Sequence, residues 1–385
     1  MNSLPRHDGN QKTAATRDTL QPTVCVYRQP PAGSIYSERR HMFKTLKSHN
    51  SISLPVLVCF VFCAGKSTRA PAGTEPAFAL VSANVQTFPD GADKSLPQVK
   101  KFTHEDITLF AWSKDFSRGN ATLLEIESTT NLKDIRLEVN KKEFKLNKGQ
   151  NGLFALHANS PDSKRTENDV IIFRGGKIAA EFKIPVVHKE YPVARSKMTV
   201  NNFSNQSKPM KPETIKWIEE GRKKKMRAFI SAEDNFLSSE LRYPRDEHKI
   251  TSPFFIKRIY ERFKVVKGKK QKLPGKTSFH GGTDLKGMTG APIFAIADGV
   301  VNLAEQLYYD GNIVMIDHGN GIISGYMHQS ELAVKAGERV KAGQLIGKTG
   351  ATGMVTGPHL HIFLHIHGVK VDPLSLLHLP IRPAK

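Results

Sequence analysis

Four histidines crowd the stretch "GMVTGPHLHIFLHIHG", which runs from Gly353 to Gly368: His359, His361, His365 and His367. All four sit at odd positions, and alternate residues of an extended strand point to the same side. A strand here would line one face with imidazoles, which ligate metals and carry protons near neutral pH. Two other pieces bear similar chemistry. "HGGTDLKG" sets His280 and Asp284 four apart, with glycines between them that let the backbone bring both side chains to one point, and "GYMHQS" supplies His328. Each piece alone is weak, because an H-x-x-x-D pair is common by chance and a lone histidine is usually structural. Two imidazoles side by side on a strand, as in HLH, are unusual without a ligand. Zinc explains the combination. A catalytic zinc takes three nitrogen or oxygen ligands and keeps a fourth position for water, and one Asp with two His makes such a set. The ion would polarise a carbonyl and acidify its water, while the remaining histidines would move protons or steady an oxyanion. His365 and His367 read as the end of a strand reaching solvent, and His318 in "IDHGNG" as a structural turn residue.

The elements that must hold these residues lie in the C-terminal third. From Phe279 onward, "APIFAIADGVVNLAE", "GNIVMIDHGNGIISGYMH" and "GERVKAGQLIGKTG" are short apolar strands broken by glycine turns. "GAPIFAIADGVV" and "KAGERVKAGQLIG" share a strand–Gly-turn logic with swinging-arm carrier domains. That rival needs a lysine at a hairpin tip in its own signature context, and none is found. Residues from about 100 to 195 read as all-β: "IRLEV" alternates apolar and polar, and "DVIIFRGGKIAAEFKI" signals a hairpin about Gly175-Gly176. Several short strands over about a hundred residues predict an immunoglobulin-like sandwich. Its His157 and His188 read as surface residues. A helix is expected over Pro212 to Leu241, with Ile215, Ile218, Met226, Phe229 and Ile230 near one face and "RKKK" at Arg222–Lys225 as a solvated face. A basic run from Lys257 to Lys276 is either a mobile hairpin tip or a flap beside the site that attracts anions.

The chain has 385 residues, 39% of them apolar, and a formal net charge of +21. That composition suits two or three packed domains and disfavours wholesale disorder. The charge points to anionic partners without choosing among them. The run "SISLPVLVCFVFCAG" has the length of a signal-peptide core, with Met42, Lys44 and Lys47 ahead of it and "CAG" and "AFA" as cleavage options. Translation is expected to begin at Met42, and an uncleaved anchor is the alternative. Cys25, Cys59 and Cys63 all fall in this leader. A product cut after Ala79 has no thiol, so a metal must be held by His, Asp or Glu. It keeps a formal charge of about +15. Export argues against nucleic acid as the partner.

Residues from about Ser252 to Pro373 resemble the lysostaphin-like zinc endopeptidases, which cleave peptide cross-links in peptidoglycan. "HGGTDL", "APIFAIADGVV", "GNIVMIDHGNG", "YMH", "VKAGQLIGKTGATG" and "TGPHLHI" carry the resemblance. It implies an antiparallel β-sheet groove of the barrel-sandwich (duplicated hybrid motif) type. It further implies one Zn2+ per chain held by His280, Asp284 and His361, with His328 and His359 as catalytic histidines and zinc-bound water as the nucleophile. "SPFFIKRIYERF" departs from the family, with Phe255 where many members carry Gly. The expected division is a leader over 1–79, a β-sandwich accessory domain over 80–200, a helical linker over 201–250 and the zinc endopeptidase domain over 251–385. The expected partners are peptidoglycan peptides and anionic envelope polymers, with a membrane touched only through an uncleaved leader. The expected location is the periplasm or cell envelope, or outside the cell. Two rival functions remain: a silent activator of other wall hydrolases, which intact ligands argue against, and a non-enzymatic wall binder resting on charge alone.

Overall fold

The computed structural model describes residues 95–199, 210–232, 234, 236–237, 240–246 and 249–382. The leader, with Met42 and the cleavage options, lies outside them. No helix among the described residues is long and apolar enough to cross a membrane.

The architecture is mainly β and mostly antiparallel. Nine strands fill the first part: β1 (Gln98–His104), β2 (Ile107–Ser113), β3 (Ala121–Ser128), β4 (Ile135–Val139), β5 (Lys142–Phe144), β6 (Asn147–Lys148), β7 (Leu153–Ala158), β8 (Glu167–Arg174) and β9 (Lys177–Pro185). They form two sheets, β1-β2-β3-β7-β6 and β5-β4-β8-β9. Alternation explains the pairing. Along β2, Ile107, Leu109 and Ala111 turn inward, and they meet Leu137, Val139, Val170 and Ile172 of the other sheet in one core. The β8–β9 hairpin turns at Gly175 and Gly176, whose φ values of +57° and +80° suit the primed turns that hairpins favour.

β3 breaks the alternation. Leu124 and Ile126 enter the sandwich core, while Ala121 and Leu123 enter a second core shared with the C-terminal sheet. A strand covered on both faces is buried continuously rather than at alternate residues, as the four buried residues of "ATLL" show. Ser375 Oγ accepts from the Ala121 amide (2.9 Å), and the Asp372 amide donates to the Gly119 carbonyl (2.7 Å), so hydrogen bonds reinforce that joint.

The connecting region holds β10 (Val193–Thr199), α1 (Pro212–Ala228), β11 (Ile250–Ser252), β12 (Lys257–Val266) and β13 (Lys269–Phe279). β10 runs parallel to β12, and β12 and β13 form the long basic hairpin. The helix ends earlier than its pattern predicts. Beyond Ala228 the Asp317 carboxylate accepts from Ser231 Oγ (2.6 Å) and the Ala232 amide (2.7 Å), drawing the backbone out of helical geometry. Its expected apolar face is not its packed face either. Ile215, Met226 and Ile230 are exposed, and Gly221 and Ala228 are buried. A Cβ at Gly221 would sit 3.2 Å from Leu307 Cδ2, so a small residue is what lets the helix approach the sheet. Lys224 and Lys225 are not simply solvated: they pair with Glu305 (2.7 Å) and Asp310 (2.6 Å) and pin the helix there.

The C-terminal part contains β14 (Thr283–Lys286), β15 (Pro292–Phe294), β16 (Gly299–Leu307), β17 (Gly311–Asp317), β18 (Ile322–Leu332), β19 (Arg339–Val340), β20 (Leu345–Thr349), β21 (His359–Ile366), β22 (Val369–Val371) and the one-turn α2 (Pro373–Leu376). Its sheet runs β11-β14-β21-β18-β17-β16-β19, with β15, β20 and β22 attached. Leu360, Ile362, Leu364 and Ile366 point from β21 into the core shared with β3. His359, His361, Phe363 and His365 take its opposite face.

Candidate metal centre

Three neighbouring strands position the polar residues. Asp284 on β14 is the direct cross-strand partner of His361 on β21, and His361 is in turn the partner of Met327 on β18. Directly opposed residues of an antiparallel pair carry their side chains on the same face with Cβ atoms about 5 Å apart. Asp284 and His361 therefore meet because of register. His280 reaches them from the turn after β13. Gly282 makes that approach feasible, since a Cβ there would lie 2.2 Å from the Ile362 carbonyl oxygen and 2.8 Å from His361 Nε2. Gly281 has open space around it, so the close approach rests on the second glycine of the pair.

The three groups converge on one point. His280 Nε2 lies 3.0 Å from Asp284 Oδ1 and 3.0 Å from His361 Nδ1, and His361 Nδ1 lies 2.8 Å from Asp284 Oδ1. His280 and Asp284 are buried, at 6% and 9% exposure. The His280 tautomer follows from its other nitrogen, which donates to the Pro253 carbonyl at 3.0 Å. Nε2 of the neutral ring is then a bare lone pair aimed at a carboxylate and a second imidazole. Such a cluster of donors to a cation is self-repelling unless a cation or an extra proton sits among them. Two nitrogens and one oxygen, with no sulfur, form a donor set suited to zinc, and the residues fit that ion. Burial by itself would raise the Asp284 carboxyl, but the His280 and His361 imidazoles packed against it outweigh burial and hold the group far below the usual carboxylate range. Burial lowers the His361 imidazole, which favours the neutral, ligating form.

His328 and His359 flank the three. Their rings lie 5.0 Å apart by centroid, and His328 is 6.1 Å from His361. His328 reaches this face through a bulge: between Tyr326 and Gln329, β18 carries one residue more than β17, and His328 has φ +65°. A bulge of this kind re-aims a side chain that plain alternation would send elsewhere. Each flanking ring donates Nδ1–H to a carbonyl, His328 to Thr352 (3.0 Å) and His359 to Gly357 (2.9 Å), leaving Nε2 free. His359 Nε2 stands 3.6 Å from Asp284 Oδ1. Burial pushes His328 down to about 4, so it is neutral at pH 7.

Two residues without a sequence signal join this cluster. Arg258, at the root of the basic hairpin, donates to Ser252 Oγ (2.8 Å) and reaches Asp284 Oδ2 (3.5 Å). Only the β11–β14 register, which pairs Ser252 with Asp284, brings them in. Of the two readings of the hairpin, its root therefore adjoins the site. Phe255 has φ +58°, a left-handed conformation that Gly adopts freely, and stacks on Phe279 with ring centroids 4.7 Å apart.

Other histidines differ from expectation. His157 is buried at 7% exposure, because it lies on β7 where both faces of the sheet are covered. His188 is exposed as expected. His365 and His367 are half-buried rather than solvated. His365 stacks on Phe229 (4.6 Å, 20° between planes) and His367 packs edge-on to Phe144 (4.9 Å), because the helix end and the sandwich cover that end of β21. His318 is wholly buried between the Asp298 carbonyl (2.7 Å) and Ser324 Oγ (2.8 Å), a structural role.

Known proteins match the C-terminal part of the chain. Residues 278–373 match Peptidase family M23, and the chain carries a domain of that family. Peptidoglycan DD-endopeptidase ShyC of Vibrio cholerae serotype O1 is 39% identical over 136 residues, 35% of this chain and 29% of that protein. DD-carboxypeptidase/endopeptidase Mpg of Neisseria meningitidis serogroup B is 41% identical over 97 residues, 25% of this chain and 22% of that protein. The chain thus spans under a third of the length of these curated relatives. A solved structure described as a zinc containing peptidase from Vibrio cholerae covers 73% of this chain and 86% of its own, at 16% identity and a TM-score of 0.31. That likeness is too loose to carry an argument.

Proposed function

We propose that the protein is an exported zinc metallo-endopeptidase of the cell envelope that hydrolyses peptide cross-links of peptidoglycan. The observation that carries this reading is the convergence of His280, Asp284 and His361 within 3.0 Å of one another, flanked by two histidines with free Nε2 atoms. The printed names of the relatives matched by the C-terminal part support the substrate class.

In this reading His280 Nε2, Asp284 Oδ1 and His361 Nδ1 hold one zinc. When bound, zinc supplies Lewis-acid chemistry, polarising the scissile carbonyl and acidifying water. The chain's own residues do the rest. Pro253 fixes the His280 tautomer through its carbonyl, and Arg258 steadies the outer oxygen of Asp284. His328 and His359 each present an Nε2 lone pair. One takes the proton of the attacking water, whose oxygen joins the carbonyl carbon, and that proton goes to the leaving amine as the C–N bond breaks. The basic hairpin, with Lys264, Lys267, Lys269, Lys270, Lys272 and Lys276 along β12, its turn and β13, attracts anionic envelope polymers towards the site.

The test is digestion of purified sacculi by metal-loaded protein, with new peptide ends identified by mass spectrometry and zinc measured in the same preparation. New amino termini at cross-links with zinc at one per chain are expected. Zinc-replete protein that leaves sacculi intact would overturn the proposal.

A further inference from the structure

A second polar site lies at the far end of β21. His367 is six residues beyond His361, a distance of about 20 Å along an extended chain. There a cavity of about 370 Å³ opens between the sandwich and the C-terminal sheet. The sandwich contributes Lys142, His157, Asn159 and Arg165, and the sheet contributes Ile366 and His367.

The lining has a one-sided chemistry. Its ionisable side chains are two cations and two imidazoles, with no carboxylate among them. Burial holds His157 down at about 4 and lowers His367, so at neutral pH the positive charge comes from Lys142 and Arg165. Neither is in an ion pair among the described residues. His157 adds an unpartnered, buried Nε2. Phe144, Val139 and Val369 form an apolar wall, with Lys142 above the Phe144 ring at 5.6 Å. The volume is that of about a dozen water molecules at about 30 Å³ each, enough for two or three small amino-acid residues. Cations at the rim, amide and hydroxyl groups from Asn159, Ser160 and Ser163, and an apolar wall suit a short peptide with a free carboxylate and small apolar side chains.

We propose that this cavity binds the free carboxylate end of a short peptide, with Lys142 and Arg165 on the carboxylate and the terminal side chain against Phe144. The choice of a D-alanine end rests on the endopeptidase reading, whereas the site itself does not. Because β21 also carries His359 and His361, a ligand here would contact the strand of the metal centre while leaving that centre free for a second peptide.

The experiment is calorimetric titration of the full chain with N-acetyl-D-alanyl-D-alanine, its C-terminal amide and inorganic phosphate. The free acid should bind, and the amide should bind at least tenfold more weakly. The double variant Lys142→Ala/Arg165→Ala should lose at least tenfold, and Asp284→Ala should bind as the parent does. A second variant, Val369→Trp, should close the cavity and abolish binding without touching the charges. Equal binding of acid and amide, or an unaffected double variant, would overturn the proposal. Phosphate competing as well as the acid would overturn the peptide assignment. Loss of binding in Asp284→Ala would move the peptide to the metal centre and overturn it as well. Hydrolysis does not enter the readout, so an inactive chain that binds the acid rejects the endopeptidase reading alone.

Discussion

Replacing His328 by glycine and by alanine should separate backbone strain from chemistry. His328 sits at φ +65° in the β18 bulge, and its ring donates to the Thr352 carbonyl at 3.0 Å. Both substitutions remove that hydrogen bond and the same imidazole, so those losses cancel between them. What differs is the cost of the left-handed backbone, about 1–2 kcal/mol for a residue with a Cβ and close to nothing for glycine. Glycine gives back about 0.4–1 kcal/mol through the greater freedom of its unfolded chain. The glycine variant should therefore be more stable than the alanine variant by about 1 kcal/mol, a difference of about 2–4 °C in melting temperature for a domain of this size. Activity should fall equally in both, by about a hundred- to ten-thousandfold, the usual loss on removing a proton-transferring group. The assays are thermal melts of the metal-loaded proteins and turnover of a soluble cross-linked peptide. An alanine variant as stable as the glycine variant would refute the strain assigned to the bulge. Turnover within a few-fold of the parent would refute the placing of His328 at the reacting atoms.

Asp284→Ala should lose both zinc and activity, since two imidazoles alone hold the ion poorly; full metal content in the variant would remove Asp284 from the ligand set. His361→Ala should lose metal, while His359→Ala should keep it and lose turnover, as atomic absorption beside a peptidase assay would reveal; equal metal loss would merge the two roles. Binding to sacculi should weaken steeply with salt while cleavage of a small soluble peptide changes little, because exposed charges are screened over about 8 Å at physiological ionic strength and less at 1 M; neutralising Lys267, Lys269, Lys270 and Lys272 should reproduce the salt effect, and salt-independent binding would detach the hairpin from wall recognition. Burial lowers the His365 imidazole from 6.5 to about 4, so the unfolded chain takes up a proton over that window that the folded chain refuses, and stability present above pH 6.5 is lost as pH falls toward 4. His365→Phe keeps a ring on Phe229 and should shrink the drop in urea midpoint between pH 7 and 4.5; an unchanged drop would exclude His365 as its source.

The sequence by itself determined the chemistry-bearing residue types and the mainly β character. Short apolar runs with glycine turns leave little but strands, and HxxxD with HLH in a cysteine-free region leaves nitrogen and oxygen donors for a metal. The four-residue spacing of His280 and Asp284 and the two-residue spacing of His359 and His361 are local, so their faces follow from backbone geometry. What spacing could not reach was register. Asp284 meets His361 because β14 and β21 pair at those residues, and Arg258 joins them because Ser252 pairs with Asp284. The bulge that turns His328 inward is one extra residue opposite β17, invisible without the partner strand. The same limit explains the misplaced surfaces. His157, His365 and His367 read as solvated because a strand's pattern does not reveal what will cover it, and β3, α1 and the sandwich supply that cover only on folding. The helix reads long because its periodicity continues past Ala228, where the Asp317 carboxylate, 85 residues beyond Ala232, takes the backbone away. Local periodicity thus decided which residues form elements, and long-range pairing decided which of those residues meet.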